Sequence, residues 1–205
     1  MLWLLPTILI VILLAGNSQA SNTASHKIVT INGRRVLVHI PENTSGKQVF
    51  YFHGNGAKIE NISTDFLRLL DTSNQRAIII IPQLDSNGFI PTADLKAIID
   101  QLNIKAFGIL AYSGGIKAAV QFLKYSFTRN VGLLDALYEN TDIFRSFILN
   151  PETKTFTDVY GPSTKDLSLA LKSQVSSDKA KFIESSVAHG AVPATYAVSV
   201  LNNFQ

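Results

Sequence analysis

One serine in this sequence stands in a setting that favours nucleophilic chemistry. The apolar residues 106–111 lead into Tyr112-Ser113-Gly114-Gly115, and a helical pattern begins directly afterwards. Small residues, Ala111 and Gly115, lie two positions before and two positions after Ser113. A serine at a sharp strand-to-helix turn needs such neighbours, because its strained backbone brings them into close contact. The stretch predicts a serine nucleophile, and the alternative interpretation is an ordinary glycine-containing turn.

A nucleophilic serine needs a base, and the sequence offers four histidines for that role. A neutral hydroxyl attacks poorly unless an imidazole takes its proton and later returns it to the leaving group. His26 lies near a presumed loose N-terminus, His39 alternates within a strand, and His53 belongs to a glycine-rich loop. His189, followed by Gly190 after the last predicted strand, is therefore the predicted base. The alternative for His189 is a loop histidine without a chemical role.

Strand and helix patterns alternate along the chain after an initial hairpin around Asn32-Gly33. Such an order predicts an α/β fold with a mostly parallel central sheet, helices on both faces and an antiparallel N-terminal hairpin. Residues 153–162 read as a polar loop. The predicted strands are 27–31, 35–40, 48–52, 77–82, 106–111, 131–134, 144–150 and 181–185, and the predicted helices are 63–70, 93–102, 115–127, 164–174 and 194–203.

The loops that follow parallel strands meet at the carboxyl edge of the sheet, where ligands bind. Those loops carry His53-Gly54-Asn55-Gly56, Ser113, Asp135, Glu152 and His189. In this order and at these strand ends, the chain resembles the α/β-hydrolase superfamily over nearly all of residues 21–205. The serine turn resembles the nucleophile elbow of that superfamily, the His53 loop resembles its oxyanion loop, and His189-Gly190 resembles its base.

The oxyanion of an acyl transfer needs preorganised N–H donors. The backbone N–H of Gly114, at the start of the predicted helix, is one candidate. The resemblance implies that the second donor is the backbone N–H of Asn55 or Gly56, with His53 in a structural role. It also implies an α/β-hydrolase fold and a Ser-acid-His order along the chain. The alternative for the loop is a plain glycine-rich turn.

The acid that orients His189 has three candidates in the sequence. Asp135 follows the apolar Leu133-Leu134 and precedes further apolar residues, so it is expected to be half-buried and to need a partner. Glu152 ends the next predicted strand, and Asp158 lies in the predicted loop beyond. The superfamily uses both acid positions, and Asp135 is favoured. Its alternative role is that of a helix N-cap.

The first twenty residues have the pattern of a secretory signal peptide. Residues 2–15 are almost wholly apolar, and small residues lie at the −3 and −1 positions of a cut after Ala20. The predicted organisation is therefore a signal peptide at 1–20 and a single domain at 21–205, in a secreted or periplasmic protein. The lack of Lys or Arg before the apolar run leaves an uncleaved anchor as the alternative. That run is shorter than the ~20 residues of a spanning helix, so no stable membrane span is expected after cleavage.

The amino-acid composition argues against several other kinds of function. The net charge is +3, with Lys and Arg scattered along the chain, which favours a solvated surface over a nucleic-acid-binding one. The absence of Cys excludes thiol catalysis and Cys-based metal sites, and the histidines are not grouped in metal-ligand spacing. No metal or cofactor is expected. No long insertion is available for a lid, so the site is expected to be open and roofed by Tyr112, Phe89 and Tyr138, with Tyr112 contacting the substrate.

Together these features predict a secreted serine hydrolase that cleaves an ester or related acyl bond of a small-molecule or acyl substrate. The proposed triad is Ser113, Asp135 and His189, and the oxyanion hole is formed by Gly114 with Asn55 or Gly56. Two alternatives stay open. One is a serine peptidase or amidase of the same fold, and the other is a non-catalytic binding protein that keeps the fold.

Overall fold

An eight-stranded sheet forms the centre of the computed structural model, which describes residues 25–62, 64–73, 76–124 and 128–204. The strand order is β1-β2-β4-β3-β5-β6-β7-β8. β2 pairs antiparallel with β1 and β4, and the remaining pairs are parallel, which confirms the predicted α/β sheet with its N-terminal hairpin. The strands are β1 (Ser25–Ile31), β2 (Arg34–Ile40), β3 (Gln48–Phe52), β4 (Ile78–Pro82), β5 (Phe107–Tyr112), β6 (Thr128–Leu134), β7 (Thr155–Tyr160) and β8 (Ala180–Glu184).

Helices cover both faces of the sheet, as predicted. α2 to α5 pack on one face and α1 and α6 on the other, and each face has its own buried apolar cluster. The alternation of side chains along a strand produces this division. In β3, Phe50 and Phe52 face the first cluster while Val49 and Tyr51 face the second. The helices are α1 (Thr64–Thr72), α2 (Thr92–Gln101), α3 (Ile116–Phe122), α4 (Thr141–Leu149), α5 (Lys165–Gln174) and α6 (Val192–Asn202).

Two sequence predictions between β6 and α5 are wrong. The predicted strand at 144–150 is helix α4, whose buried residues Phe144 and Ile148 lie four positions apart on one face. The predicted loop at 153–162 contains strand β7, every residue of which is buried. Thr and Asp side chains within β7 hide its strand character, because a polar residue in a buried strand breaks the apolar pattern. Glu152 therefore precedes β7 and does not end a strand.

The N-terminal end of the described chain also differs from expectation. Ser25 and His26 belong to β1, so the loose segment predicted at 21–25 does not include Ser25. His26 pairs with His39 across the β1–β2 hairpin, which groups two histidines that are well separated in the sequence. The predicted signal peptide at 1–20 and residues 125–127 of the predicted third helix lie outside the described residues. Within the part of the chain that is described, no helix is both long enough and apolar enough to cross a membrane.

Asp158 is fully buried in the middle of β7. Neither of its carboxyl oxygens has a hydrogen-bond partner among the described residues. Burial raises the pKa of Asp158 from its ordinary 3.8 to about 7; the Ser168 hydroxyl opposes this shift and the nearby Asp135 carboxylate adds to it. Asp158 is therefore protonated in the folded protein at mildly acidic pH, whereas it is ionised in the unfolded chain.

Replacing this carboxyl is expected to change how stability depends on pH. Between pH 4 and 7 the folded state holds a proton that the unfolded state has lost, so the free energy of unfolding falls as the pH rises. Asp158→Asn has no carboxyl group to titrate, so this fall in the free energy of unfolding, about 4 kcal/mol at most, should be absent from the variant. Urea unfolding at pH 5 and pH 8 should show the variant gaining stability relative to wild type at the higher pH. Asp178→Asn, at an exposed position, is the matched control. If Asp158→Asn and the wild type differed in stability by the same amount at pH 5 and at pH 8, the raised pKa assigned to Asp158 would be wrong.

Candidate active site

Ser113 lies between β5 and α3 with its backbone in the left-handed region, at φ 51°. A Cβ atom on Gly115 would lie 2.2 Å from the carbonyl oxygen of Phe52, so the turn accepts only glycine there. Ala111, on the other side, is fully buried and pairs with Phe52 in β3. The small residues on both sides of Ser113 thus allow the strained turn to sit against β3, as the sequence predicts for a nucleophile elbow.

Asp135 and His189 are joined by a hydrogen bond of 2.7 Å between Oδ2 and Nδ1. Asp135 follows β6 at φ 47° and is 2% exposed, while His189 follows β8. The other carboxylate oxygen accepts hydrogen bonds from Gly161 N at 2.9 Å and Thr164 Oγ1 at 2.6 Å. Burial alone would raise the pKa of Asp135, but the hydrogen bonds from Thr164, His189 and Gly161 hold it below its usual range. The ionised carboxylate favours an imidazole that donates from Nδ1 and leaves Nε2 as the proton acceptor.

Gly161 and Thr164 support the acid, and the sequence pattern did not identify either of them. A Cβ atom on Gly161 would lie 2.6 Å from Asp135 Oδ2, so a side chain at this position would displace the carboxylate. Thr164 immediately precedes α5, and its hydroxyl reaches Asp135 from there. A threonine at the start of a predicted helix was a visible signal, but its usual interpretation is a helix cap.

The two alternative acids lie away from His189. Glu152 is exposed at the amino end of β7, where it forms an ion pair with Arg129. Ser113 lies at the carboxyl end of the neighbouring parallel strands, at the opposite edge of the sheet. Asp158 is enclosed within β7 and does not line the cavity beside Ser113. Of the three candidates from the sequence, the structure brings only Asp135 into contact with His189.

Ser113 and His189 line the same cavity, which has a volume of about 450 Å³. The ring of Tyr112 stacks on the His189 imidazole, with 4.9 Å between centroids. The lining includes apolar and aromatic side chains, among them Tyr51, Ile62, Phe66 and Pro193. Apart from its two histidines, the cavity has no ionisable side chain other than tyrosine among its described lining residues.

Tyr138 approaches the serine from the loop that also carries Asp135. Tyr138 is 41% exposed, and its hydroxyl is close enough to the Ser113 side chain for that serine to lower its pKa. Burial and the neighbouring Asp135 carboxylate raise the pKa of Tyr138, so its hydroxyl stays protonated at neutral pH. Phe89, the other predicted roof residue, is 43% exposed and contacts the Lys117 ammonium.

Hydrogen bonds connect the loop after β3, which is predicted to carry the oxyanion hole, to the loop after β4. Gln83 accepts a hydrogen bond from Ile59 N and donates one to the Ala57 carbonyl, each at 2.9 Å. His53 is buried, and its Nε2 accepts a hydrogen bond of 3.3 Å from Leu84 N. Its Nδ1 lies 2.9 Å from the Gly54 carbonyl, so Nδ1 carries the proton, and burial lowers the pKa of this imidazole. His53 thus holds two loops together, which is the structural role that the resemblance implies.

Asn55 lies between two glycines at the serine turn. Its Oδ1 would be 2.0 Å from a Cβ atom on Gly114 and 2.4 Å from one on Gly88, so both positions need glycine for the carboxamide to fit. Gly56, the neighbouring candidate donor, adopts φ +71°. The side chain of Asn55 therefore lies against Gly114, next to Ser113. The assignment of the backbone N–H of Asn55 or Gly56 to the oxyanion hole stays a prediction.

Gly88→Ala is expected to disturb this arrangement selectively. The new methyl group would lie 2.4 Å from Asn55 Oδ1 and 2.6 Å from the Gly114 carbonyl, which forces one of the two to move. If they frame the oxyanion hole, turnover of an ester should fall about 10²-fold, the effect of losing one donor. Gly46→Ala is the control, because Gly46 has a similar positive φ of 76° with no atom within 4 Å of the new methyl group. Both variants should lose the stability that a side chain at positive φ costs, and Gly88→Ala should lose more because of the clash. Unchanged turnover in Gly88→Ala would contradict the placement.

Proteins similar to this chain are found among solved structures. No protein-family model matches the sequence, and no curated protein matches it significantly. Among solved structures, the dienelactone hydrolase of Anabaena variabilis superposes with a TM-score of 0.62 at 13% identity, over 89% of this chain and 99% of that one. A predicted CIB-like hydrolase of Thermoplasma acidophilum gives 0.61 at 16% identity, over 88% and 99%. An epoxide hydrolase of Vigna radiata gives 0.57 at 12% identity, over 90% and 99%.

These similarities cover 88–90% of this chain and nearly all of each solved structure, and the chain forms an eight-stranded, mostly parallel sheet. The chain has the α/β-hydrolase fold.

Proposed function

We propose that this protein is a serine hydrolase that cleaves an ester or related acyl bond with Ser113, His189 and Asp135. The observation that carries the proposal is the 2.7 Å hydrogen bond from His189 Nδ1 to the buried Asp135 carboxylate, beside a cavity that also exposes the strained Ser113. These are the three roles that acyl transfer requires, namely nucleophile, base and orienting acid.

The proposed reaction proceeds in two halves. His189 Nε2 takes the Ser113 proton as Oγ attacks the substrate carbonyl, and the resulting oxyanion is stabilised by N–H groups of Gly114 and of Asn55 or Gly56. His189 then donates its proton to the departing alcohol, which leaves an acyl group on Ser113. A water molecule, activated by the same imidazole, attacks this acyl-enzyme and regenerates the serine. Asp135 stays ionised throughout and stabilises the imidazolium that forms in each half.

The similar solved structures support the hydrolytic class, since they include a dienelactone hydrolase, an epoxide hydrolase and a membrane phospholipase A. The triad itself can cleave both esters and amides, so the preference for an ester is a question of the substrate groups that fit the cavity. The uncharged, aromatic wall of the cavity favours a small neutral acyl group.

A panel of p-nitrophenyl esters with acyl chains of increasing length tests the proposal. Hydrolysis should saturate with substrate and should decline once the acyl chain exceeds what the cavity of about 450 Å³ can enclose. p-Nitroanilides of the same acyl groups then distinguish an esterase from an amidase or peptidase. A folded protein that hydrolyses neither series would favour the non-catalytic binding protein.

Export is the second part of the proposal, and it rests on the sequence pattern of residues 1–20. The exported protein is expected to begin at or near Ser21, because the small residues before the cut fit signal peptidase. N-terminal sequencing of material recovered from the medium or the periplasm checks this. A chain that still begins at Met1 would favour an uncleaved membrane anchor.

A further inference from the structure

Two histidines and an aspartate meet at a position that the hydrolytic mechanism does not use. His26 of β1 and His39 of β2 are directly paired in the antiparallel hairpin, and Asp71 lies near the end of α1. One ligand atom from each of the three side chains lies within 4.8 Å of the others. His39 Nδ1 is 3.4 Å from Asp71 Oδ1.

The fold explains why these three side chains lie close together. Directly opposed residues of an antiparallel pair project from the same face of the sheet, so the two imidazoles are neighbours. Leu37, two residues before His39, packs in the same apolar cluster as Leu70 of α1. His39 therefore faces the helix that carries Asp71, while His26 reaches the cluster from the edge strand.

The donor set suits a transition-metal cation. Imidazole nitrogens and a carboxylate oxygen are the usual non-thiolate ligands of Zn²⁺, and three protein ligands with one open position form a recognised type of site. His39 is buried, while His26 and Asp71 are exposed, so a cation and a water ligand can reach the cluster from solvent.

We propose that His26, His39 and Asp71 form a binding site for a divalent cation of the zinc class. The site is structural in this proposal, because a bound cation would tie the N-terminal hairpin to α1. α1 in turn carries Phe66, which lines the cavity beside Ser113 and stacks on Tyr51 with 4.7 Å between centroids. A direct contact between His39 and Asp71 accounts for two of the residues but gives no role to His26.

Zinc titration of the full-length protein after chelator treatment and dialysis tests the proposal. Isothermal titration calorimetry should show one Zn²⁺ per chain, and the unfolding temperature should rise with zinc concentration, since the folded state alone holds the complete site. His26→Gln and Asp71→Asn should each weaken zinc binding by about 10-fold or more. Ester hydrolysis by His26→Gln should stay close to that of the wild type, which separates this site from the catalytic one.

His189→Gln is the matched control, because it removes a histidine from the catalytic cavity. It should abolish ester hydrolysis and keep the zinc affinity of the wild type. The visible absorption of Co²⁺ added in place of zinc reports coordination by the same ligands, and it should be lost in His26→Gln and retained in His189→Gln. Zinc binding that survives both His26→Gln and Asp71→Asn, or that disappears in His189→Gln, would overturn the proposal, as would the absence of binding by the wild type.

Discussion

Ser113→Ala is expected to lower kcat for a p-nitrophenyl ester by about 10⁴-fold or more, because the members of a triad act as a unit. The substitution removes the nucleophilic oxygen and leaves the oxyanion donors and the cavity in place. Alanine at φ 51° is no more strained than serine, so the turn should survive. Initial rates measured over a range of ester concentrations separate the loss of turnover from any change in KM.

Folding must be shown to be intact in this variant. Near-UV circular dichroism and the urea midpoint should match the wild type, because the loss is a single hydroxyl at a half-buried position. A Ser113→Ala protein that keeps turnover within about tenfold of the wild type would exclude Ser113 as the nucleophile, since substitution of a true nucleophile costs far more.

Asp135→Asn is expected to lower turnover by about 10⁴-fold, as the equivalent change does in a serine protease. The asparagine carbonyl can still accept hydrogen bonds from Gly161 N and Thr164 Oγ1. Its NH₂ group would then face His189 Nδ1, which stabilises the tautomer that carries the proton on Nε2. Such an imidazole cannot accept the proton of Ser113, and the charge that stabilises the imidazolium is also gone.

Glu152→Gln is the control for this prediction, and it should leave turnover within a few-fold of the wild type. Glu152 is exposed and ion-paired with Arg129 at the far end of the sheet. Urea unfolding of Asp135→Asn distinguishes a chemical loss from a structural one, because the buried aspartate accepts hydrogen bonds from Gly161 and Thr164 as well as from His189. If turnover survived in Asp135→Asn and collapsed in Glu152→Gln, the acid of the triad would be Glu152 and not Asp135.

The predicted site residues that the structure brings together have local signals in the sequence. Ser113 lies in a turn whose glycine and alanine neighbours are required by close packing against β3, so the spacing itself encodes the geometry. His189 follows a strand and precedes a helix, which places it at the carboxyl edge once the sheet is parallel. The sheet and its N-terminal hairpin were predictable for the same reason, since apolar strands and the Asn32-Gly33 turn are local patterns.

The wrong predictions concern segments whose local sequence pattern is compatible with more than one secondary structure. Residues 144–150 carry apolar side chains at positions compatible with either a strand or one face of a helix, and only packing on the sheet selects α4. β7 contains Asp158, which an isolated sequence reading assigns to a loop, because a buried and protonated carboxyl depends on its surroundings in the fold. The contacts of Gly161 with Asp135 join residues 26 positions apart, and no short motif records them.

The distribution of charge is a further property that only the fold reveals. Lysine and arginine are scattered in the sequence, yet each of the strands from β3 to β8 has one within two residues of its first residue. Because these strands run in the same direction, the cations gather at the amino edge of the sheet, opposite the cavity beside Ser113. The cations are Lys47, Arg76, Lys105, Arg129, Lys154, Lys179 and Lys181.

Covalent labelling with a fluorophosphonate tests the central claim, a serine activated by His189, most directly. A fluorophosphonate reacts with an activated serine and leaves a stable phosphonyl group on its oxygen. Intact-mass measurement of the folded wild-type protein should show one adduct per chain, and peptide mapping should place it on Ser113. The adduct should be absent from Ser113→Ala and should form far more slowly in His189→Gln. A folded wild-type protein that takes up no label, or that carries the label on another residue, would contradict the account.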